Sequence, residues 1–345
     1  MQYTPIQRIP SNDEIIARFP LSTKAEEQVK RDQEEVKNIL SGKDDRLLVI
    51  MGPCSAWPFD ATLEYAHRLV PLAKELSSKL KIVMRVYIQK PRTTKGWTGP
   101  VNQPDPYEKP DIAAGAFYCR ELMVNVIEAG LPIADEALFT SNAKGFLELL
   151  SWVAIGARST EDQEHRIFAS MVDCAVGMKN PTSGSLEIGV NGIIAAQHQH
   201  HTVFEGQQIE TLGNPYAHLV LRGGMDRPNY YTEDILLALE LLHKNKIKNP
   251  AIVVDTSHDN CRLPTGKDPL LQGKVVREVV SQMQLFPEIK AGVKGFMFES
   301  FLKTGAQKAE SFSPEDIDRG GLSITDPCMG WEETEELLRW LSETV

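Results

Sequence analysis

Residues 47–55 read LLVIMGPCS, a short continuous apolar run that ends in a glycine, a proline and a cysteine. The same pattern returns along the chain: an apolar, β-branched run leads into a polar or charged residue. Continuous apolar strands of this kind are typical of parallel sheets that are covered on both faces. The eight runs are residues 47–51, 82–87, 131–134, 152–157, 175–178, 218–221, 251–254 and 293–298.

Longer amphipathic stretches lie between most of these runs, and their apolar spacing predicts helices. The clearest of them are residues 61–80, 112–129, 232–246 and 273–285. Eight strands that alternate with helices predict an α/β fold of the (β/α)8 TIM-barrel type.

Two segments fall outside this alternation. Residues 1–45 predict a polar N-terminal extension with one amphipathic helix at 26–40. Residues 201–214 contain two short runs joined by Glu205-Gly206-Gln207, which predicts a β-hairpin inserted before the sixth barrel strand. The predicted catalytic barrel therefore spans residues 46–345.

Composition and charge narrow the class of protein. The chain has 345 residues, a net charge of −10 and 42% hydrophobic residues. This balance is ordinary for a globular enzyme and disfavours binding to nucleic acid through general electrostatics. The five cysteines are scattered and form no Cys-x-x-Cys pair, which argues against a disulfide framework or a structural zinc site. Because neither a signal peptide nor a run of transmembrane length is visible, we expect a cytoplasmic enzyme without a membrane partner.

In a TIM barrel the reactive residues lie where the strands end, at the carboxyl-terminal face. Many residues at or just after the apolar runs are cationic. Converging arginine and lysine side chains suit a substrate that carries phosphate and carboxylate groups. This cationic group contains Arg85, Lys90, Arg92, Arg158, Lys179 and Arg222.

A second group consists of Cys54, His258, Glu299 and Asp326, the last of which lies in a later loop. One thiolate, one imidazole and two carboxylates suit Mn, Fe, Co or Zn better than Mg or Ca, which prefer oxygen ligands. Taken singly, each residue has a plainer explanation, since a lone cysteine is usually a small buried apolar residue. Joint placement at successive strand ends favours a functional site but does not name a reaction.

Several short strings carry a closer likeness. Gly-Pro-Cys-Ser at 52–55 and Lys-Pro-Arg-Thr-Thr at 90–94 are specific when they occur together. They appear in order with Met-Arg-Val-Tyr at 84–87, Leu-Arg-Gly-Gly at 221–224 and Ser-Ile-Thr-Asp at 323–326. From about residue 10 to its C-terminus, the chain resembles type I 3-deoxy-D-arabino-heptulosonate 7-phosphate (DAHP) synthases of the aromatic-amino-acid-sensitive bacterial and fungal branch.

The resemblance implies a role for each matching residue. A divalent metal would be held by Cys54, His258, Glu299 and Asp326. Phosphoenolpyruvate would be bound by Arg85, Arg158, Lys179 and Arg222. Erythrose 4-phosphate would be bound by Lys90, Arg92 and Thr93, with Pro91 shaping the loop. Catalysis would involve Lys179 and Glu136 near the attacking water, together with the metal ligands Cys54 and His258.

The implied reaction joins C3 of phosphoenolpyruvate to the aldehyde of erythrose 4-phosphate, and it yields DAHP and inorganic phosphate at the start of the shikimate pathway. Members of the family are often dimers or tetramers, so we expect a homodimer or a homotetramer. Two alternatives stay open, namely a related synthase with another aldose phosphate and a catalytically silent barrel that binds a metabolite. The complete metal set disfavours the silent barrel.

The likeness is incomplete around these residues. Gln89 stands where the family usually has glutamate, while Thr98, Leu263 and Leu322 replace lysines. The segments that bind inhibitory amino acids in the family also differ, including residues 139–143. We therefore expect weak or absent inhibition by phenylalanine, tyrosine or tryptophan. Such a loss would suit an enzyme that supplies a dedicated secondary pathway, although neutral change in tolerant loops explains the differences equally well.

Overall fold

Eight parallel strands form a closed barrel in the computed structural model, which describes residues 1–92, 95–138, 145–204 and 206–345. In chain order, the barrel strands and the strands of two separate hairpins are β1 Leu47–Gly52, β2 Leu80–Arg85, β3 Ile133–Ala137, β4 Leu150–Ile155, β5 Ala175–Lys179, β6 His201–Phe204, β7 Gln207–Glu210, β8 Ala217–Leu221, β9 Ile252–Asp255, β10 Arg262–Leu263, β11 Gly266–Lys267 and β12 Val293–Glu299. The barrel closes in the order β1-β12-β9-β8-β5-β4-β3-β2, while β6–β7 and β10–β11 are separate hairpins. The predicted (β/α)8 barrel with an inserted hairpin is confirmed.

Every predicted apolar run contributes to a barrel strand, but some predicted strand ends are wrong. The second strand begins two residues earlier than its apolar run because Lys81 pairs as a strand residue and sends its amine to Asp32, at 2.6 Å. The third strand continues through Asp135 and Glu136, which pair with β4. Polar residues belong to these strands because they find partners near the barrel ends, as Lys81 does in Asp32 and Asp135 does in the N–H of Ile88. An apolar pattern alone does not reveal such partners.

Helices surround the barrel and precede it. The predicted helix at 61–80 is wrong at its C-terminal end, since the chain turns after Leu76, whose carbonyl accepts hydrogen bonds from the N–H groups of Lys79 and Leu80. In chain order the helices are α1 Asn12–Arg18, α2 Thr23–Leu40, α3 Phe59–Glu75, α4 Ile112–Glu128, α5 Gln163–Met171, α6 Leu186–Gln197, α7 Thr232–Lys244, α8 Leu271–Leu285, α9 Pro287–Gly292 and α10 Trp331–Thr344.

The N-terminal extension closes the amino-terminal end of the barrel. Helix α2 begins at Thr23 and is preceded by Ser22, whose hydroxyl caps the first turn by accepting from the N–H of Ala25. Its last turns bury Val36, Ile39 and Leu40 in one cluster with inward-facing strand residues such as Leu48. Burial of apolar side chains of this size stabilises the closed end by about 1.5–3 kcal/mol each.

Beyond these α2 residues, the barrel interior is filled by Trp152 of β4, which is fully buried. Its indole N–H donates to His218 Nε2 at 3.2 Å. Room for the ring exists because residue 177 is glycine: a Cβ there would lie 2.1 Å from Trp152 Cζ2. The interior is therefore packed, and the barrel is open toward its carboxyl-terminal mouth.

The two hairpins differ in position, and one of them is largely exposed. The predicted hairpin, β6–β7, is largely exposed, and Val203 retains 74% of its surface. The shorter hairpin β10–β11 was not predicted, and it follows β9 at the mouth of the barrel. Within the described ranges, no helix combines the length and the apolar character needed to cross a membrane.

Candidate active site

A polar cavity of about 190 Å³ lies at the carboxyl-terminal mouth of the barrel. Most of the residues singled out in the sequence lie in its wall. Arg85 and Glu299 are buried at strand ends, outside the lining, and Thr93 lies outside the described residues. The lining consists of Cys54, Lys90, Pro91, Arg92, Glu136, Ala157, Arg158, Lys179, Thr182, Arg222, His258, Lys267, Thr325 and Asp326.

Strand ends account for this convergence. Arg85, Lys179, Asp255 and Glu299 are each the last residue of a barrel strand, so the parallel arrangement brings them to one face. The loop that carries Asp326 returns to the same place through short bridges, in which Ser300 pairs with Met329, Gly305 with Cys328 and Ala306 with Ser323. Sequence positions that are far apart therefore meet at one end of the barrel.

The cations lie at two depths. Arg85, Lys90, Lys179 and Arg222 are buried, whereas Arg92 and Arg158 are exposed at the rim. The ammonium group of Lys90 donates to the carbonyl oxygen of Cys54 at 2.6 Å. At the rim, the guanidinium of Arg92 donates through Nε to the carbonyl of Trp97 at 2.7 Å, which orients it.

Asp255 contacts both a buried cation and the histidine. Its Oδ2 lies 3.1 Å from Lys179 Nζ and 2.8 Å from His258 Nδ1. Burial alone would raise the pKa of Asp255, but the charges of His258 and Lys179 outweigh it and hold the pKa well below its usual range. Sequence reasoning missed Asp255, although it ends an apolar run as the chosen residues do.

A second acid lies on the side of the cavity that carries Arg222. Asp259 forms a buried ion pair with Arg222, and its other oxygen accepts from Arg262 Nη1 at 3.1 Å. The backbone N–H of Arg222 donates to Asn180 Oδ1 at 2.9 Å. Arg222 is thus fixed at both its main chain and its side chain, and a bound anion would meet a guanidinium that is already oriented.

Three of the four predicted metal ligands form a close cluster. One ligand atom from each of Cys54, Glu299 and Asp326 lies within 4.8 Å of the others. The backbone N–H of Asp326 donates to Cys54 Sγ at 3.4 Å. His258 stands beside this cluster rather than in it, with Nε2 3.8 Å from Glu299 Oε1.

The surroundings of the cluster are charged and buried. Glu299 accepts from Arg85 Nη2 at 3.1 Å and from the Ser257 hydroxyl at 2.9 Å. Burial would raise the pKa of Glu299, but His258 and Arg85 hold it well below its ordinary value. Burial raises the pKa of the Cys54 thiol, and a bound cation would oppose that effect by favouring the thiolate. The donor set and its charge therefore fit a divalent ion.

Comparison with known proteins identifies the family of this barrel. The model of the DAHP synthetase I family matches residues 19–339. The chain belongs to that family. It is 39% identical to the Trp-sensitive phospho-2-dehydro-3-deoxyheptonate aldolase of Escherichia coli (strain K12), over 99% of this chain and 96% of that protein.

Further relatives agree with this assignment. The phospho-2-dehydro-3-deoxyheptonate aldolase of Corynebacterium glutamicum is 38% identical, over 98% of this chain and 92% of that protein. The structure of the phospho-2-dehydro-3-deoxyheptonate aldolase of Francisella tularensis SCHU S4 matches with a TM-score of 0.93 at 33% identity, and it covers 100% of this chain and 98% of that one. Membership of the family and its barrel architecture thus extend over nearly the whole chain.

Proposed function

We propose that this protein condenses phosphoenolpyruvate with erythrose 4-phosphate to give DAHP and inorganic phosphate. C3 of phosphoenolpyruvate bonds to the aldehyde carbon, water adds at C2, and the C2–oxygen bond to phosphate is lost. The observation that carries the proposal is that six lysine and arginine side chains line the same barrel mouth as a cluster of thiol and carboxylate ligands. Two anionic substrates repel each other, and a cationic cavity offsets that repulsion.

The donor substrate fits three of the buried cations together with one cation of the rim. Phosphoenolpyruvate carries a carboxylate and a phosphate, and each charge-assisted hydrogen bond to such a group is worth about 1.5–3 kcal/mol. Lys179 and Arg222 are already oriented by Asp255 and Asp259. We assign phosphoenolpyruvate to these two residues together with Arg85 and Arg158.

The acceptor fits the loop after β2. Lys90 and Arg92 place two positive charges beside the metal cluster, and Pro91 between them limits the backbone of the loop. We assign the phosphate of the aldose to Lys90 and Arg92. Thr93, the remaining candidate for this contact, lies outside the described residues.

A divalent ion would be held by Cys54, Glu299 and Asp326, with His258 as a fourth ligand. The sulfur donor favours Mn, Fe, Co or Zn. When bound, such an ion polarises the aldehyde oxygen as a Lewis acid. Lys179 and Glu136 face the same cavity, and we propose that they hold and deprotonate the water that adds at C2.

A substrate panel tests the reaction. Purified protein with added Mn²⁺ is incubated with phosphoenolpyruvate and with erythrose 4-phosphate, arabinose 5-phosphate or glucose 6-phosphate, and phosphate release is measured. Release should be fastest with erythrose 4-phosphate. A clear preference for the five-carbon sugar would replace the acceptor, and release with no sugar at all would contradict the proposal.

A matched pair of variants connects that activity to the mouth. Arg158→Met removes an exposed rim cation, and Arg68→Met removes an exposed arginine of α3 that pairs with Glu64 at 2.8 Å. Arg158→Met should lower kcat/KM for phosphoenolpyruvate about tenfold or more, which corresponds to the loss of one charge-assisted contact. Arg68→Met should leave it unchanged.

We also propose that the protein is a homodimer or a homotetramer. Exposed apolar side chains lie on the β6–β7 hairpin and near the N-terminus, including Val203 at 74% and Ile6 at 95% exposure. Apolar groups of this kind are candidates for burial against a second copy. Light scattering coupled to gel filtration should give a mass of two or four chains, and Val203→Lys should reduce it. A monomeric wild-type protein would refute this assignment.

A further inference from the structure

Lys267 reaches the metal cluster from the hairpin β10–β11, which lies between β9 and α8. Strands β10 and β11 pair Arg262 with Lys267 and Leu263 with Gly266. Gly266 has a φ of 130°, a conformation that side chains rarely adopt, and this permits the tight turn. The hairpin begins directly after residues 258–261, which include His258, and its second strand brings Lys267 back to the same site.

The amine of Lys267 contacts a single acid of the cluster. Its Nζ lies 2.5 Å from Asp326 Oδ2, and the side chain lines the mouth cavity with 24% of its surface exposed. A lysine amine is protonated at neutral pH, so Lys267 places a positive charge beside the Asp326 carboxylate.

Asp326 needs such support more than the other two ligands do. Glu299 is fully buried and is held by Arg85 and Ser257. The side chain of Asp326 is 42% exposed. In the described part of the chain, the side chain at hydrogen-bonding distance from its carboxylate is that of Lys267. Without this contact, a loop carboxylate with this exposure would sample several rotamers. The entropy lost when a metal fixes one of them would weaken metal binding.

We propose that Lys267 is a positioning residue that holds the Asp326 carboxylate toward Cys54 and Glu299 for a divalent cation. The inference rests on the proposed function because it requires that the cluster binds a metal. Hydrogen bonds to metal-binding side chains orient them, and loss of such a partner typically weakens metal affinity about 10–100-fold. An opposite role is physically possible: a lysine that merely occupies the cation position would compete with the metal, and its removal would tighten binding.

Metal titration separates these roles because they predict opposite signs. Chelator-treated protein, without substrates, is titrated with Mn²⁺ and with Co²⁺ by calorimetry, and the thiolate-to-Co²⁺ absorption band reports on Cys54. Lys267→Met should weaken the Kd about 10–100-fold, and Lys267→Arg should recover part of the loss. The matched control is Lys303→Met, which breaks an exposed lysine–aspartate pair of 2.6 Å, to Asp318, away from the mouth.

A double-mutant cycle shows whether Lys267 acts through Asp326. In an Asp326→Asn background, Lys267→Met should change the Kd much less than it does in the wild-type protein. Thermal unfolding of each variant shows whether it folds, and Lys267→Arg keeps the test available if Lys267→Met does not.

Each outcome decides something. An unchanged or tighter Kd for Lys267→Met, or an equal effect in the Asp326→Asn background, overturns the positioning role while leaving the proposed reaction intact. A wild-type protein that binds neither Mn²⁺ nor Co²⁺ overturns the metal site itself and, with it, the role of Lys267.

Discussion

Replacement of Lys179 by methionine should affect stability as well as activity. Lys179 is 3% exposed, and its amine lies 3.1 Å from Asp255, whose carboxylate is fully buried. Methionine is similar in length and keeps most of the packing. The substitution therefore removes one charge and leaves the other in a low-dielectric interior, where His258 at 2.8 Å and the charge of Arg85 remain to offset it.

The magnitude follows from the burial of the pair. Removal of one partner of a buried ion pair typically costs about 3–5 kcal/mol. An unfolding entropy of roughly 2.1 cal/mol/K per residue gives a 345-residue chain about 0.7 kcal/mol/K. Lys179→Met should therefore lower Tm by about 4–7 °C. It should also lower kcat/KM for phosphoenolpyruvate at least tenfold, because an anion contact is lost.

Differential scanning calorimetry with a matched set of variants tests this account. Lys274→Met, on the exposed side of α8, should leave Tm unchanged. Asp255→Asn added to Lys179→Met should restore at least half of the lost Tm, since the unpaired charge is removed and the amide oxygen can still accept from the N–H of Ser257, now 3.1 Å from Oδ1. A single variant with wild-type Tm, or a double variant less stable than the single one, would refute the reasoning.

Four further outcomes are expected. Chelation should abolish turnover and Mn²⁺ or Co²⁺ should restore it, whereas Cys54→Ala should bind neither ion; full activity after chelation would contradict the metal assignment. Arg92→Met should raise KM for the aldose phosphate alone, and equal damage to both substrates would indicate a collapsed loop. Stability should fall as pH drops from about 6.5 toward 4, because burial lowers the pKa of His218 to about 4 and the unfolded chain takes up the proton first; His218→Gln should flatten that interval of the unfolding curve. Phenylalanine, tyrosine and tryptophan at millimolar concentration should each inhibit by less than half, and stronger inhibition by any of them would show that a binding pocket survives.

Much of the barrel could be predicted because its strands are apolar runs that end in a polar residue. Cys54, Lys179 and Glu299 were found in this way, since a strand end in a parallel barrel has a known position. The expected loss of inhibition stays a prediction, because residues 139–143 lie outside the described part of the chain. The assignment of individual contacts to the substrates likewise stays a prediction.

The contacts that support the site could not be predicted in the same way. Asp259 and Lys267 lie in the short turn and hairpin between β9 and α8, where the direction of a side chain depends on turns and on residues far away in sequence. Lys267 meets Asp326 across 59 positions, through a hairpin of two-residue strands that has no periodic signal. Leu263 illustrates the difficulty: it stands where a lysine is expected from the family, whereas the lysine that contacts Asp326 is Lys267 on the other strand of the hairpin.

The closed amino-terminal end of the barrel limits the route by which a substrate can reach the site. In the part of the chain that the structure describes, α2 and Trp152 fill the amino-terminal end, so a molecule approaching the buried Lys179 passes the rim that carries Arg92. A compound held at the rim obstructs the path of one bound deeper. If phosphoenolpyruvate occupies the buried cations and the aldose phosphate occupies the rim, as proposed, an inert aldose phosphate analogue should slow the escape of phosphoenolpyruvate that is already inside.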